Sequence, residues 1–88
     1  MKHFVYLIGS LKDSKKKTYV GYTTNLKKRL TLHNSGKGAK STRGRTLHLF
    51  YYKKYNSRKK AMSEEYALKK NKKERRDIKS RFLSTNQL

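Results

Sequence analysis

The sequence has no cysteine, no proline and no tryptophan, and only five acidic residues among 88. Without cysteine there is no disulfide framework, no thiolate nucleophile and no cysteine-built zinc site. No apolar run approaches the ~18 residues of a membrane span. The apolar patch at residues 4–8 is too short for a secretory core segment, and no small-residue cleavage site follows it. The expectation is a soluble cytoplasmic protein with no membrane partner. A chain of 88 residues makes one domain rather than two. The acids are Asp13, Glu64, Glu65, Glu74 and Asp77, so residues 14–63 carry no carboxylate against fifteen Lys or Arg. Any divalent-cation site must draw its carboxylates from this short list.

What the chain has in excess is positive charge: 25 Lys+Arg and a formal net charge of +20. Self-repulsion of that size opposes compaction, and a polyanionic partner relieves it. Nucleic acid is the commonest such partner. DNA is the expectation, with RNA as the other polyanion, and a nucleoid association follows from it. A lysine-biased proteome is the bland alternative, since Lys (18) far exceeds Arg (7). Tyr, Leu, Phe and Val recur along the whole chain, which argues against a disordered basic tail.

Residues 3–9 (HFVYLIG) read as a strand buried on both faces, and residues 18–23 (TYVGYT) as a second strand forming an antiparallel hairpin with it. Asn25 is a good N-cap for a helix over 26–34, with Leu26, Leu30 and His33 on one face. Residues 35–45 contain three Gly and four basic residues, and predict a loop. Residues 46–52 (TLHLFYY) predict a third strand with Leu47, Leu49 and Tyr51 in alternation. Ser57 caps a helix over 58–70, where Ala61, Glu65 and Leu68 share a face with Met62 and Tyr66 beside it. Asn71 followed by Glu74 resembles a capping box, opening a last helix with Ile78, Phe82 and Leu83 as apolar positions. The fold class expected is α/β of the α+β kind. A three-stranded, mostly antiparallel sheet is flanked by helices in the order β-β-α-β-α-α. The domain spans residues 1–83, and residues 84–88 are a fraying tail.

Four features point beyond structure. Tyr6 and Tyr19 lie on the hairpin. A strand tyrosine is usually an amphipathic core residue, but its hydroxyl can orient or deprotonate water where cations lower its proton affinity. Arg29 and His33 lie four residues apart at the edge of a half-buried helix face. The arginine can hold a phosphate by a bidentate fork, and the histidine can assist a proton transfer. Singly, each is more often an exposed Arg or a satisfied His. Glu65 sits within an apolar stripe, where a carboxylate is costly unless paired or metal-bound. It is either ion-paired with Arg29 or a nearby Lys, or it holds a cation such as Mg²⁺ that keeps its waters and takes phosphate oxygens as other ligands. Gly21, inside a strand, implies close approach of a helix or phosphate, or a simple bulge. The 35–45 loop would bring Lys37, Lys40, Arg43 and Arg45 to phosphate, or stand as a solvated surface loop.

At these residues the sequence resembles a known family. Phe4-Val5-Tyr6, then Tyr19-Val20-Gly21-Tyr22-Thr23, then Asn25-Leu26-x-x-Arg29-x-x-x-His33-Asn34-x-Gly36 is similar to the GIY-YIG nuclease domain. The run Gly36 through Arg45 resembles the small single-domain bacterial members, and also the catalytic subunits of nucleases that cut branched DNA. Ala61-Met62-x-x-Glu65-x-x-Leu68-Lys69 resembles the family's metal-binding helix. The likeness covers about residues 3–80. It departs at the first motif, which reads Phe-Val-Tyr without its Gly and Ile. The resemblance implies a metal-dependent phosphodiesterase using Mg²⁺ or Mn²⁺ that leaves a 5′-phosphate and a 3′-hydroxyl. It assigns Tyr6, Tyr19, Arg29 and His33 to catalysis and Glu65 to the metal. Gly21, Asn34, Lys37, Lys40, Arg43 and Arg45 fall to the nucleic acid. Basic surroundings would favour a tyrosinate at Tyr6 or Tyr19.

Two functions compete. One is a DNA endonuclease acting by structure or without specificity in repair, recombination or processing, as a monomer or weak dimer, with a protein partner supplying selectivity. The other is a catalytically weak module that binds nucleic acid, which the charge and the basic loop alone would serve.

Overall fold

The computed structural model describes residues 2–10, 18–35 and 47–86. Six elements follow one another: β1 (His3–Gly9), β2 (Thr18–Thr23), α1 (Leu26–Asn34), β3 (His48–Tyr55), α2 (Arg58–Lys70) and α3 (Lys72–Asn86). This is the expected α+β order. The strands form one antiparallel sheet in the order β2-β1-β3. The central place of β1 explains its continuous apolar run, since residues 5–9 are all buried and a central strand between helical layers hides both faces.

Strand alternation divides the core in two. Val5 and Leu7 of β1 and Val20 of β2 meet Ala61 and Leu68 of α2 and Ile78 of α3 on one face. Tyr6 and Ile8 point the other way and pack with Leu47, against the half-buried Tyr19, Leu26, Leu30 and Leu49. The sheet is therefore a middle layer, with α1 on one side and α2 and α3 on the other.

A bulge in β3 corrects the predicted third strand. Leu7 faces Tyr51 while Ile8 faces Leu49, so Phe50 is the extra residue. A bulge shifts the phase of alternation. Leu47 and Leu49 accordingly pack on the α1 side, whereas Phe50 and Tyr51 both pack on the other. The Phe50 ring lies 4.9 Å from that of Phe82 on α3. The strand also runs later than the 46–52 expected. His3, Phe4 and Val5 pair with Tyr55, Lys54 and Lys53, and this non-local pairing carries a polar stretch into the sheet. Exposed Lys53 and Lys54 put charge on an edge strand, which discourages further pairing.

The helix starts follow the local signals. The side chains of Asn25, Ser57 and Asn71 accept hydrogen bonds from the backbone N–H of Lys28 (3.0 Å), Lys60 (3.3 Å) and Glu74 (3.0 Å), satisfying donors that a helix start leaves unpaired. α3 continues to Asn86. The predicted basic loop, with Lys37, Lys40, Arg43 and Arg45, falls almost wholly within residues 36–46 and lies outside the described residues.

Candidate active site

The α1 side of the sheet gathers three rings. Tyr6 projects from the central strand, Tyr19 from β2 and His33 from the last turn of α1. The His33 ring lies 6.0 Å from Tyr6 and 5.0 Å from Tyr19, and the two tyrosines are 6.4 Å apart. Tyr6 Oη and His33 Nε2 share a hydrogen bond of 3.0 Å. Both residues are nearly inaccessible, at 2% and 1% exposure. Leu26 and Leu30 dock α1 against this face, and that docking delivers His33, one turn beyond Leu30, to the tyrosine hydroxyl.

Gly21 has its reason here. Tyr6 is directly opposite Gly21 in register, and its ring leans across the glycine. A Cβ on Gly21 would stand 2.3 Å from both Cζ and Oη of Tyr6, well inside contact distance. The close approach inferred from sequence is made by the Tyr6 ring. Neither a helix nor a strand bulge accounts for it, because the β1–β2 pairing is regular through Gly21.

Electrostatics ties two more residues to this cluster. Burial raises the proton affinity of Tyr6 well above the ordinary tyrosine range. The neighbouring Tyr19 adds to the rise, the Arg29 charge opposes it, and the Glu65 charge adds a smaller rise. Burial first and the Arg29 charge second lower the proton affinity of His33, which favours the neutral ring. Arg29, on the exposed flank of α1, thus acts on both members of the Tyr6–His33 pair. These directions correct one expectation: at Tyr6, desolvation outweighs the cationic surroundings, so the phenol is held protonated and is not a resting tyrosinate.

Glu65 reaches this electrostatic neighbourhood from α2. Its side chain is 18% exposed, and Lys69 Nζ lies 3.6 Å from Oε2 one turn along the helix. That pair answers the question of its counter-ion in favour of a nearby lysine. Among the described residues no three His, Cys, Asp or Glu converge as a metal cluster. A single partly shielded carboxylate is the donor that a hard cation keeping most of its water would use, its remaining shell coming from a substrate phosphate, and Glu65 is the residue that would supply it here.

The structure thus groups Tyr6, Tyr19 and His33 by contact, and Arg29 and Glu65 by their charge on Tyr6. Asn34 is engaged differently. Its Oδ1 accepts from Leu47 N–H at 2.7 Å and its Nδ2 donates to Leu47 O at 3.3 Å. The amide side chain clips the end of α1 to the residue before β3, a role that spacing alone did not reveal.

The GIY-YIG catalytic domain model matches residues 2–79. The chain belongs to the GIY-YIG family. That family is one of nucleases. Among relatives of this GIY-YIG domain, a UPF0213 protein of Streptococcus pneumoniae is 50% identical over 70 residues, covering 78% of this chain and 68% of that one. A UPF0213 protein of Streptococcus pyogenes serotype M5 is 45% identical over 87 residues, covering 98% and 89%. The solution NMR structure of the UPF0213 protein BH0048 from Bacillus halodurans is similar with a TM-score of 0.50 and 36% identity, over 98% of this chain and 86% of that one. Among the described residues no helix is long and apolar enough to cross a membrane.

Proposed function

We propose that this GIY-YIG domain is a metal-dependent endonuclease that hydrolyses DNA phosphodiester bonds, selecting substrates by structure rather than by sequence. The observation that carries the reading is the buried Tyr6–His33 hydrogen bond, whose tyrosine feels the charges of Arg29 and Glu65. A buried phenol hydrogen-bonded to an imidazole nitrogen is an arrangement able to pass a proton between the two.

The chemistry assigned to each residue follows from its state. In the reaction a water oxygen bonds to phosphorus, the bond from phosphorus to the 3′ oxygen breaks, and the water gives up one proton. Tyr6, protonated at rest, accepts that proton only by releasing its own. His33, neutral and with Nε2 facing Tyr6 Oη, is the acceptor when its tautomer carries the proton on Nδ1. The pair then moves a proton away from the attacking oxygen without forming a free tyrosinate. Tyr19, the more accessible of the two tyrosines, completes the wall against which the water sits. Arg29 sits on the exposed flank, where its guanidinium offsets charge growing on the phosphate oxygens. Glu65 would hold the cation, which when bound polarises the scissile phosphate and stabilises the departing oxygen. The +20 charge supplies sequence-independent attraction to the backbone.

The test is a panel of labelled DNAs: single strand, duplex, flap and four-way junction, each with Mg²⁺, Mn²⁺ or EDTA. Metal-dependent cutting with preference for a branched or single-stranded form is the expected result. Binding to every substrate without turnover under any metal would overturn the reading in favour of a binding module.

A further inference from the structure

Among the described residues, the sheet face that carries Tyr6 is covered over only half its length. Leu26 and Leu30 of α1 lie with Ile8, Leu47 and Leu49 at one end. At the other end the register sets Tyr6 beside Tyr52 and Phe4 beside Lys54, and alternation puts these four side chains on one face. Tyr6 marks the boundary. It is 2% exposed, whereas Tyr52 is 55% exposed. The Phe4 ring braces Tyr52 from 6.1 Å at an interplanar angle of 60°. Lys54 is exposed beside them.

Among the described residues the other large exposed hydrophobic side chain is Tyr66. Its ring face already carries the Lys70 ammonium at 4.5 Å. Tyr52 differs: its ring packs against Phe4. Exposed apolar side chains that form one contiguous patch, unlike those scattered singly, mark interaction sites, and Tyr52 is contiguous with the Phe4 ring. On a chain of charge +20, with a lysine on the same face, the complementary partner is a polyanion that also offers flat apolar surface. Nucleic acid meets both conditions, and its bases present that surface only when unpaired.

We propose that Phe4 and Tyr52 form a stacking platform for an unpaired nucleobase adjoining the scissile phosphate, with Lys54 against a neighbouring phosphate. This rests on the nuclease reading for the position of the phosphate. Tyr52 stands one strand from Tyr6 and the Tyr6 hydroxyl leans away from it over Gly21, so a base stacked at Tyr52 belongs to a nucleotide flanking the scissile phosphate. The platform is sequence-tolerant, because every base has a π face, and it disfavours continuous duplex.

Fluorescence anisotropy in EDTA tests it without cleavage, using labelled oligothymidylate and an abasic strand with the same number of phosphates. Wild type is expected to bind the thymidylate about five- to a hundredfold more tightly than the abasic strand. Tyr52→Ala should lose most of that preference while keeping its affinity for the abasic strand, and Tyr52→Trp should retain it. Lys54→Ala should weaken both strands alike and lower the salt slope by about 0.7. Thermal melts check that each variant is folded. Equal wild-type affinity for the two strands, or a preference that survives Tyr52→Ala, would overturn the platform. So would a wild-type dimer in sedimentation that Tyr52→Ala dissociates with base preference unchanged, since a second copy would then own the surface. Because the readout is binding in EDTA, an intact Tyr52-dependent preference in a protein that never cuts DNA would fail the nuclease reading and leave the platform standing.

Discussion

Gly21→Ala is the smallest change that probes the site. The added Cβ would lie 2.3 Å from Tyr6 Cζ and Oη and 2.9 Å from Cε1. Ordinary carbon contacts lie near 3.5–4.0 Å, so the ring must retreat by more than about 1 Å. It has little room. Tyr6 is 2% exposed, with Tyr19 and His33 against it. Overpacking of this kind costs roughly 1–3 kcal/mol. Pulling Oη from His33 Nε2 leaves a buried polar atom unsatisfied, at roughly another 1–3 kcal/mol. The sum, about 2–6 kcal/mol, translates into a melting drop on the order of 10–50 °C for a domain of this size. The intrinsic effect of Gly→Ala on the unfolded chain has the opposite sign, about 0.4–1 kcal/mol of stabilisation, so even the direction is informative. The assay is thermal melting of Gly21→Ala, Tyr6→Ala and the double variant. In the Tyr6→Ala background the Gly21 change should be neutral or slightly stabilising, giving a large coupling energy. A single variant that melts within about 3 °C of wild type, or an equal loss in both backgrounds, would refute the argument that Gly21 exists to admit the Tyr6 ring.

Asn34→Ala removes both hydrogen bonds to Leu47. Leu47 is 5% exposed, and its unpaired N–H should cost about 1–3 kcal/mol, visible as a lower melting temperature. His33 has a lowered proton affinity in the fold. Below about pH 6.5 the unfolded chain therefore binds more protons, and stability falls as pH drops through that window. Wild type should lose more melting temperature between pH 7 and 5 than His33→Asn does, and parallel profiles would contradict the assignment. Tyr6 has the opposite sign: its proton is held more tightly in the fold, so stability is lost as pH rises above about 10. Tyr6→Phe should flatten that alkaline decline in a melting series from pH 9 to 11.

Features that depend on a few neighbouring residues were legible in the sequence. The caps at Asn25, Ser57 and Asn71 act within three residues, and all three side chains accept the helix N–H as read, though the Asn71 N–H bonds Leu68 O in place of the Glu74 carboxylate that a full capping box would use. The apolar run of β1 announced a strand buried on both faces, which its central place in the sheet explains. The alternation of β3 was not legible past Leu49, because the bulge at Phe50 is set by pairing with β1. Its extension to Tyr55 depends on the same distant partner. Tyr6, Tyr19, Arg29, His33 and Glu65 were picked out by residue type and spacing. Their protonation was not, since desolvation of Tyr6 depends on how α1 closes over the sheet. Spacing also hid what Gly21 and Asn34 touch, and it gave no reason to single out Tyr52. In sequence that residue is one more aromatic in a strand, and only the half-covered sheet leaves it exposed.

The most direct measurement is a single-turnover cleavage rate for wild type and Glu65→Gln on the best DNA substrate, with binding measured in parallel. Wild type should cut only with Mg²⁺ present, leave products bearing a 5′-phosphate, and not cut in EDTA. Glu65→Gln should bind DNA as wild type does and cut about a hundredfold or more slowly, a loss of at least ~2.7 kcal/mol in transition-state stabilisation. Cutting that persists in EDTA, or is unchanged by Glu65→Gln, would contradict the assignment of Glu65 and the Tyr6–His33 pair to one hydrolytic site.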